Sequence, residues 1–185
     1  IERFTEREAF FEAEARALDD QEGEVRELEA LARSVVGQFE QYIKLAVSKA
    51  ATDVEVAALH PITAVASELD EQERTFEARI NASKAARGEG PTKVSKAKQQ
   101  ELEQFAADAK EMAAEQLNEF TALDNAREIV FALHMGLDSD TRFWSKAHLN
   151  AHPSDAAIVQ EFANAKTTLR DALAAYLDQF PDNQG

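Results

Sequence analysis

The sequence predicts an all-α chain, an antiparallel bundle of four to five helices, and three observations predict it. Alanine, the strongest helix former, supplies 35 of the 185 residues. Glycine and proline, which interrupt helices, number only 6 and 4. Apolar residues recur at three- and four-residue steps over most of the length, the spacing of one helix face. At this length one continuous domain is expected, and it can bury a core without a disulfide or a metal.

Residues 4–18 (FTEREAFFEAEARAL) read two ways. Ala9, Phe11, Ala13, Ala15 and Ala17 alternate with charged residues, a period of two that argues for a strand. Alanine and glutamate are nevertheless good helix residues, and Phe4, Phe11, Ala15 and Leu18 share one helix face. From about Glu24 the helical pattern is plain, through Leu28, Leu31, Val35, Phe39, Tyr42 or Ile43, Ala46 and Ala50. Thr52-Asp53 offers a cap for a short turn to Leu59. His60-Pro61 is expected to end that turn, because the residue before proline avoids the helical region. A second helix is predicted over 62–86, closed by the breaker cluster Arg87-Gly88-Glu89-Gly90-Pro91.

The longest predicted helix runs over 94–135 with near-heptad, coiled-coil-like spacing, about 60 Å at 1.5 Å per residue. Gly136 is its expected left-handed terminator. Asp138-Ser139-Asp140 can cap a short helix through Phe143, Trp144 and Leu149. Pro153-Ser154-Asp155 starts the last helix, which carries Ile158, Phe162, Leu169, Leu173, Tyr176 and Leu177 and stops at Pro181. The phenylalanine stripe Phe76, Phe105, Phe120, Phe131, Phe162 and Phe180 is expected in the core.

Charge and composition exclude whole classes of function. With 35 acidic against 20 basic residues, the net charge is −15. Such a chain repels phosphate backbones and anionic lipid surfaces, so no nucleic-acid partner is expected. No apolar run reaches the roughly 20 residues of a membrane span, so no membrane insertion is expected. The absence of cysteine rules out disulfides, Cys-ligated zinc, iron–sulfur clusters and thiol catalysis. No cysteine and no leader pattern at Ile1 together point to a cytoplasmic location, although a cleaved leader would leave the same trace.

Glu2–Leu45 (ERFTEREAFFEAEARALDDQEGEVRELEALARSVVGQFEQYIKL), most sharply EALARSVVGQFEQYIKL over 29–45, resembles part of the N-terminal domain of the ATP-dependent Lon protease. The resemblance implies a strand at 7–18 leading through an acidic turn into the helix. It also implies a role in binding unfolded or degron-bearing substrates and in holding a hexamer together. The family's upstream strands and the signature that follows this helix are absent, the chain reading Ala46-Val47-Ser48-Lys49 instead. A strand without partner strands leaves backbone groups unpaired, which favours helix at residues 4–18 in this chain. The chain thus divides into a Lon-like segment, 1–45, and a helical bundle, 46–185, within one continuous domain. No ATPase or protease residue carries over, so no catalytic residue is expected.

Candidate sites are few. Phe39 and Tyr42 on the Lon-like helix, with Arg142 and Trp144 in the short inter-helix segment beside His134, form the candidate partner-binding set. Aromatic and arginine side chains dominate interface hot spots, although a lone Trp more often plugs a bundle core. His148 and His152, spaced i, i+4 with Asp155 nearby, are weak metal candidates. Pro153 directly after His152 places a helix end there, so capping or surface histidines are the commoner reading, and no cofactor is expected. The stretch Gly88–Lys93 does not meet phosphate-loop spacing. Lys84, Arg87, Lys93, Lys96 and Lys98 form a basic island against Glu89 alone, while acidic runs such as Glu68/Asp70/Glu71 read as solvated faces. The function expected is a non-enzymatic protein-interaction module with a protein partner or self-association. The alternative is a ligand-sensing or metal-binding bundle. Net charge alone would permit an acidic nucleic-acid mimic.

Overall fold

A computed structural model of the chain describes residues 38–90, 93–139 and 146–181. All regular structure among them is helical: α1 (Phe39–Ser48), α2 (Asp53–Ala86), α3 (Lys96–Thr121), α4 (Ala126–Ser139), α5 (Lys146–Ala151) and α6 (Pro153–Gln179). Residues 4–18, where pattern and propensity disagree, lie outside the described residues.

Helix α2 forms the spine, with α6 and α1 packed along it and α4 in contact with both α1 and α6. The core joins Tyr42, Ile43 and Ala46 of α1 to Leu59, Ile62, Ala66, Leu69, Phe76 and Ile80 of α2. It continues through Ile129, Val130 and Leu133 of α4 and Ile158, Phe162, Leu169, Leu173 and Tyr176 of α6. The α2–α6 pair is antiparallel. Phe76 meets Phe162 edge-on at 5.7 Å, Arg79 pairs with Glu161 at 2.5 Å, and Ser83 lies against Asp155. Helix α3 joins this core at its C-terminal end, where Phe120 stacks on Tyr42 at 4.5 Å.

Four expectations from the sequence are corrected. The first concerns Pro61, which does not end a helix: α2 runs unbroken from Asp53 to Ala86 with Pro61 inside it. Proline removes one i→i−4 bond, but Ala57, whose carbonyl loses its donor, is exposed and can bond water, while Leu59 and Ile62 beside Pro61 are buried. Packing therefore overrides the local preference. The second is the predicted 94–135 helix, which breaks at Ala122–Asn125. Asn125 Oδ1 accepts from the Glu128 amide at 2.9 Å, and the Glu128 carboxylate accepts from the Asp124 amide at 2.9 Å. This reciprocal cap starts a new helix, and Thr52 and Glu55 build the same arrangement at the start of α2.

The third is Gly136, which does not terminate its helix: α4 continues to Ser139, and among the described residues the glycine with positive φ is Gly88. There Gly88 N bonds Ala85 O and Glu89 N bonds Lys84 O, both at 3.0 Å, the paired bonds of a Schellman end for α2. The fourth is the expectation of a core stripe at Phe131, whose side chain is 51% exposed. Helix α1 begins at Phe39 with Gln38 as its non-helical N-cap, and residues 24–37 of the helix predicted from Glu24 lie outside the described residues.

Candidate functional site

Helix α1 carries the described end of the Lon-like stretch, and its start is held by another helix. The Gln38 side chain makes no cap bond to α1. Instead the Asp70 carboxylate of α2 accepts from the Phe39 amide at 3.1 Å and the Glu40 amide at 3.0 Å. These are donors that a helix N-terminus otherwise leaves unsatisfied. Asp70 is only 3% exposed, so the solvated face expected for the Glu68/Asp70/Glu71 run is wrong at its middle member. Burial raises the Asp70 pKa above the ordinary carboxylate range, against the lowering effect of the two amide bonds and of Arg74. A signal was present in the sequence, since Asp70 stands four residues after Ala66 on the stripe that buries Ala66 and Leu69.

Of the predicted partner-binding residues, Phe39 and Tyr42 fall among the described residues. Tyr42 is 4% exposed and belongs to the core, and burial together with the Asp70 charge raises its pKa. Its ring stacks on that of Phe120. Phe39 is partly buried and packs on the core edge. On the wet side of α1, Glu40 pairs with Lys44 at 2.9 Å, and this bond holds the Glu40 carboxyl below its usual range. Arg142 and Trp144 lie outside the described residues.

The histidine pair does not share a helix. Helix α5 ends at Ala151, and His152, with φ −127° and ψ 81°, is the N-cap of α6 with Pro153 after it. Asp155 is 1% exposed. Its carboxylate accepts from Ser83 Oγ at 2.6 Å and from the Arg87 guanidinium at 2.7 and 3.2 Å. Arg87 also reaches Glu89 at 3.0 Å, and the hydrogen bonds to Asp155 and then Glu89 raise its pKa further. The same contact with Arg87 lowers the pKa of Glu89. Part of the basic island is thus bound internally, clamping the end of α2 to the start of α6. Among the described residues no group of three or more His, Asp or Glu gathers as a metal site, and no helix is long and apolar enough to cross a membrane.

Two cations close helix ends from a distance, and sequence reasoning did not single them out. Lys49 Nζ donates to the carbonyls of Thr121 and Leu123 at the end of α3. Arg127 Nε donates to Phe180 O at the end of α6, at 2.8 Å.

Comparison with known proteins bears on one stretch. Over 45 residues the chain is 58% identical to the Lon protease of Azospirillum brasilense, 53% to that of Rhizobium meliloti and 56% to that of Brucella suis. Each match covers 24% of this chain and about 6% of the relative's length. No family model and no solved structure matches the chain. The chain carries a Lon-like segment joined to an all-α bundle.

Proposed function

We propose that the chain is a non-enzymatic protein-interaction module in which the bundle carries a Lon-like segment as a recognition element for unfolded polypeptide. The observation that supports this most is the 53–58% identity to Lon proteases over 45 residues. A second support is that the 45/46 boundary falls inside α1, whose Ile43 and Ala46 are both fully buried. Residues 39–45 of the segment therefore pack into the same core as the bundle. Unfolded chains present apolar side chains, and a net charge of −15 favours those that carry Lys and Arg.

Reduced and carbamidomethylated lysozyme, against native lysozyme of similar charge, tests the reading. Fluorescence anisotropy should rise with the unfolded form and stay flat with the native one. Equal binding of both would reduce the interaction to charge, and binding of neither would end the proposal.

A further inference from the structure

Helix α4 buries one face and leaves another half-exposed. Ala126, Ile129, Val130, Leu133 and Leu137 enter the core, while Phe131 is 51% and Met135 54% exposed. The two stand one turn apart and form a continuous apolar ridge. Both methionines of the chain, Met112 and Met135, are more than half exposed, although methionine usually fills cores. An exposed ridge of Phe and flexible Met gives the fold little burial and suits an adaptable contact.

Charge selects what would cover it. Glu128, three residues before Phe131, is exposed, as is Asp124 just ahead of the helix. Arg127, the basic residue of α4, is turned to Phe180 O. A second copy docking by the same face would set its own Asp124 and Glu128 against these, like charge against like. A convex helix ridge packs best into the groove of another helix.

We infer that the Phe131–Met135 face of α4 is a docking surface for an amphipathic helix of another polypeptide, one that flanks its apolar residues with Lys or Arg. This rests on the protein-interaction reading and assigns it a surface outside the Lon-like segment.

The test is an anisotropy titration with a fluorescein-labelled peptide of about 18 residues, Leu at i, i+3, i+4 and i+7 and Lys elsewhere. The same peptide with Glu in place of Lys is the control. The Lys peptide should bind and the Glu peptide should not. Phe131→Gln with Met135→Gln should weaken binding roughly tenfold or more. Met112→Gln, which removes a still more exposed methionine on α3, should leave binding unchanged, and all variants should melt together. Unchanged binding by the double variant overturns the assignment, whatever the lysozyme pair shows for the module reading. So does an equal loss with Met112→Gln, which would mean apolar attraction spread over the surface without a site. A dimer in sedimentation that the double variant dissolves would give the face to a second copy and overturn it equally.

Discussion

Asp70 shows how one buried carboxylate does two opposing things. It satisfies two amides at the start of α1, and it is an ion in a place that disfavours ions. Because its pKa in the folded state lies above its unfolded value, the native protein binds the proton more tightly. The ionisation cost is fully present at neutral pH, and stability attributable to Asp70 rises as pH falls through the raised value. Urea unfolding of wild type and Asp70→Asn at pH 7, 5 and 4 should move in favour of wild type toward acid; the opposite drift would refute the assignment. Asp70→Ala, which strands both amides, should cost about 1–2 kcal/mol at neutral pH. Tyr176 is a second case. It is buried, its hydroxyl has no hydrogen-bond partner among the described residues, and burial raises its pKa to about 12. Tyr176→Phe removes that orphan and should hold or raise stability, by up to about 1 kcal/mol, in thermal melts. The register of Asp70 was legible in the sequence. The partner it meets, 30 residues away in α1, was not, because no local pattern encodes which helix end lies opposite.

At the scale of the element, boundaries failed where local chemistry and packing disagreed. His60-Pro61 carries a strong stop signal, yet the burial of Leu59 and Ile62 on either side of it holds the helix through. An interior proline disfavours a helix by about 3 kcal/mol relative to alanine, partly offset by the stiffness it gives the unfolded chain. Pro61→Ala should therefore stabilise the protein by about 1–2 kcal/mol, read as an increase in the urea midpoint. A decrease would mean that Pro61 fits a bend the packing requires. The break between α3 and α4 was written in the sequence as Asn125 and Glu128 at capping-box spacing, but the heptad pattern running across it masked the signal. The cap at Thr52 and the Schellman end at Gly88 were legible, because their chemistry is local.

Across the whole molecule, the all-α class followed from alanine content and periodicity, whereas the assembly depends on contacts distant in sequence. Phe131 fitted the same period as the core phenylalanines and is exposed, since periodicity fixes a stripe but not its width. Ile43, fully buried, ties the Lon-like stretch into the common core. Ile43→Ala should cost about 2–5 kcal/mol and lower the melting temperature of the entire bundle in one transition. A separate early transition would show instead that α1 unfolds on its own. The caps supplied by Lys49 and Arg127 carry this coupling further. The carbonyls they close lie 72, 74 and 53 residues away. Fraying of the ends of α3 and α6 consequently also breaks a bond to another helix. Those termini, ordinarily the first places where a helix exchanges its amide hydrogens or admits a protease, should here exchange more slowly than in Lys49→Ala and Arg127→Ala variants.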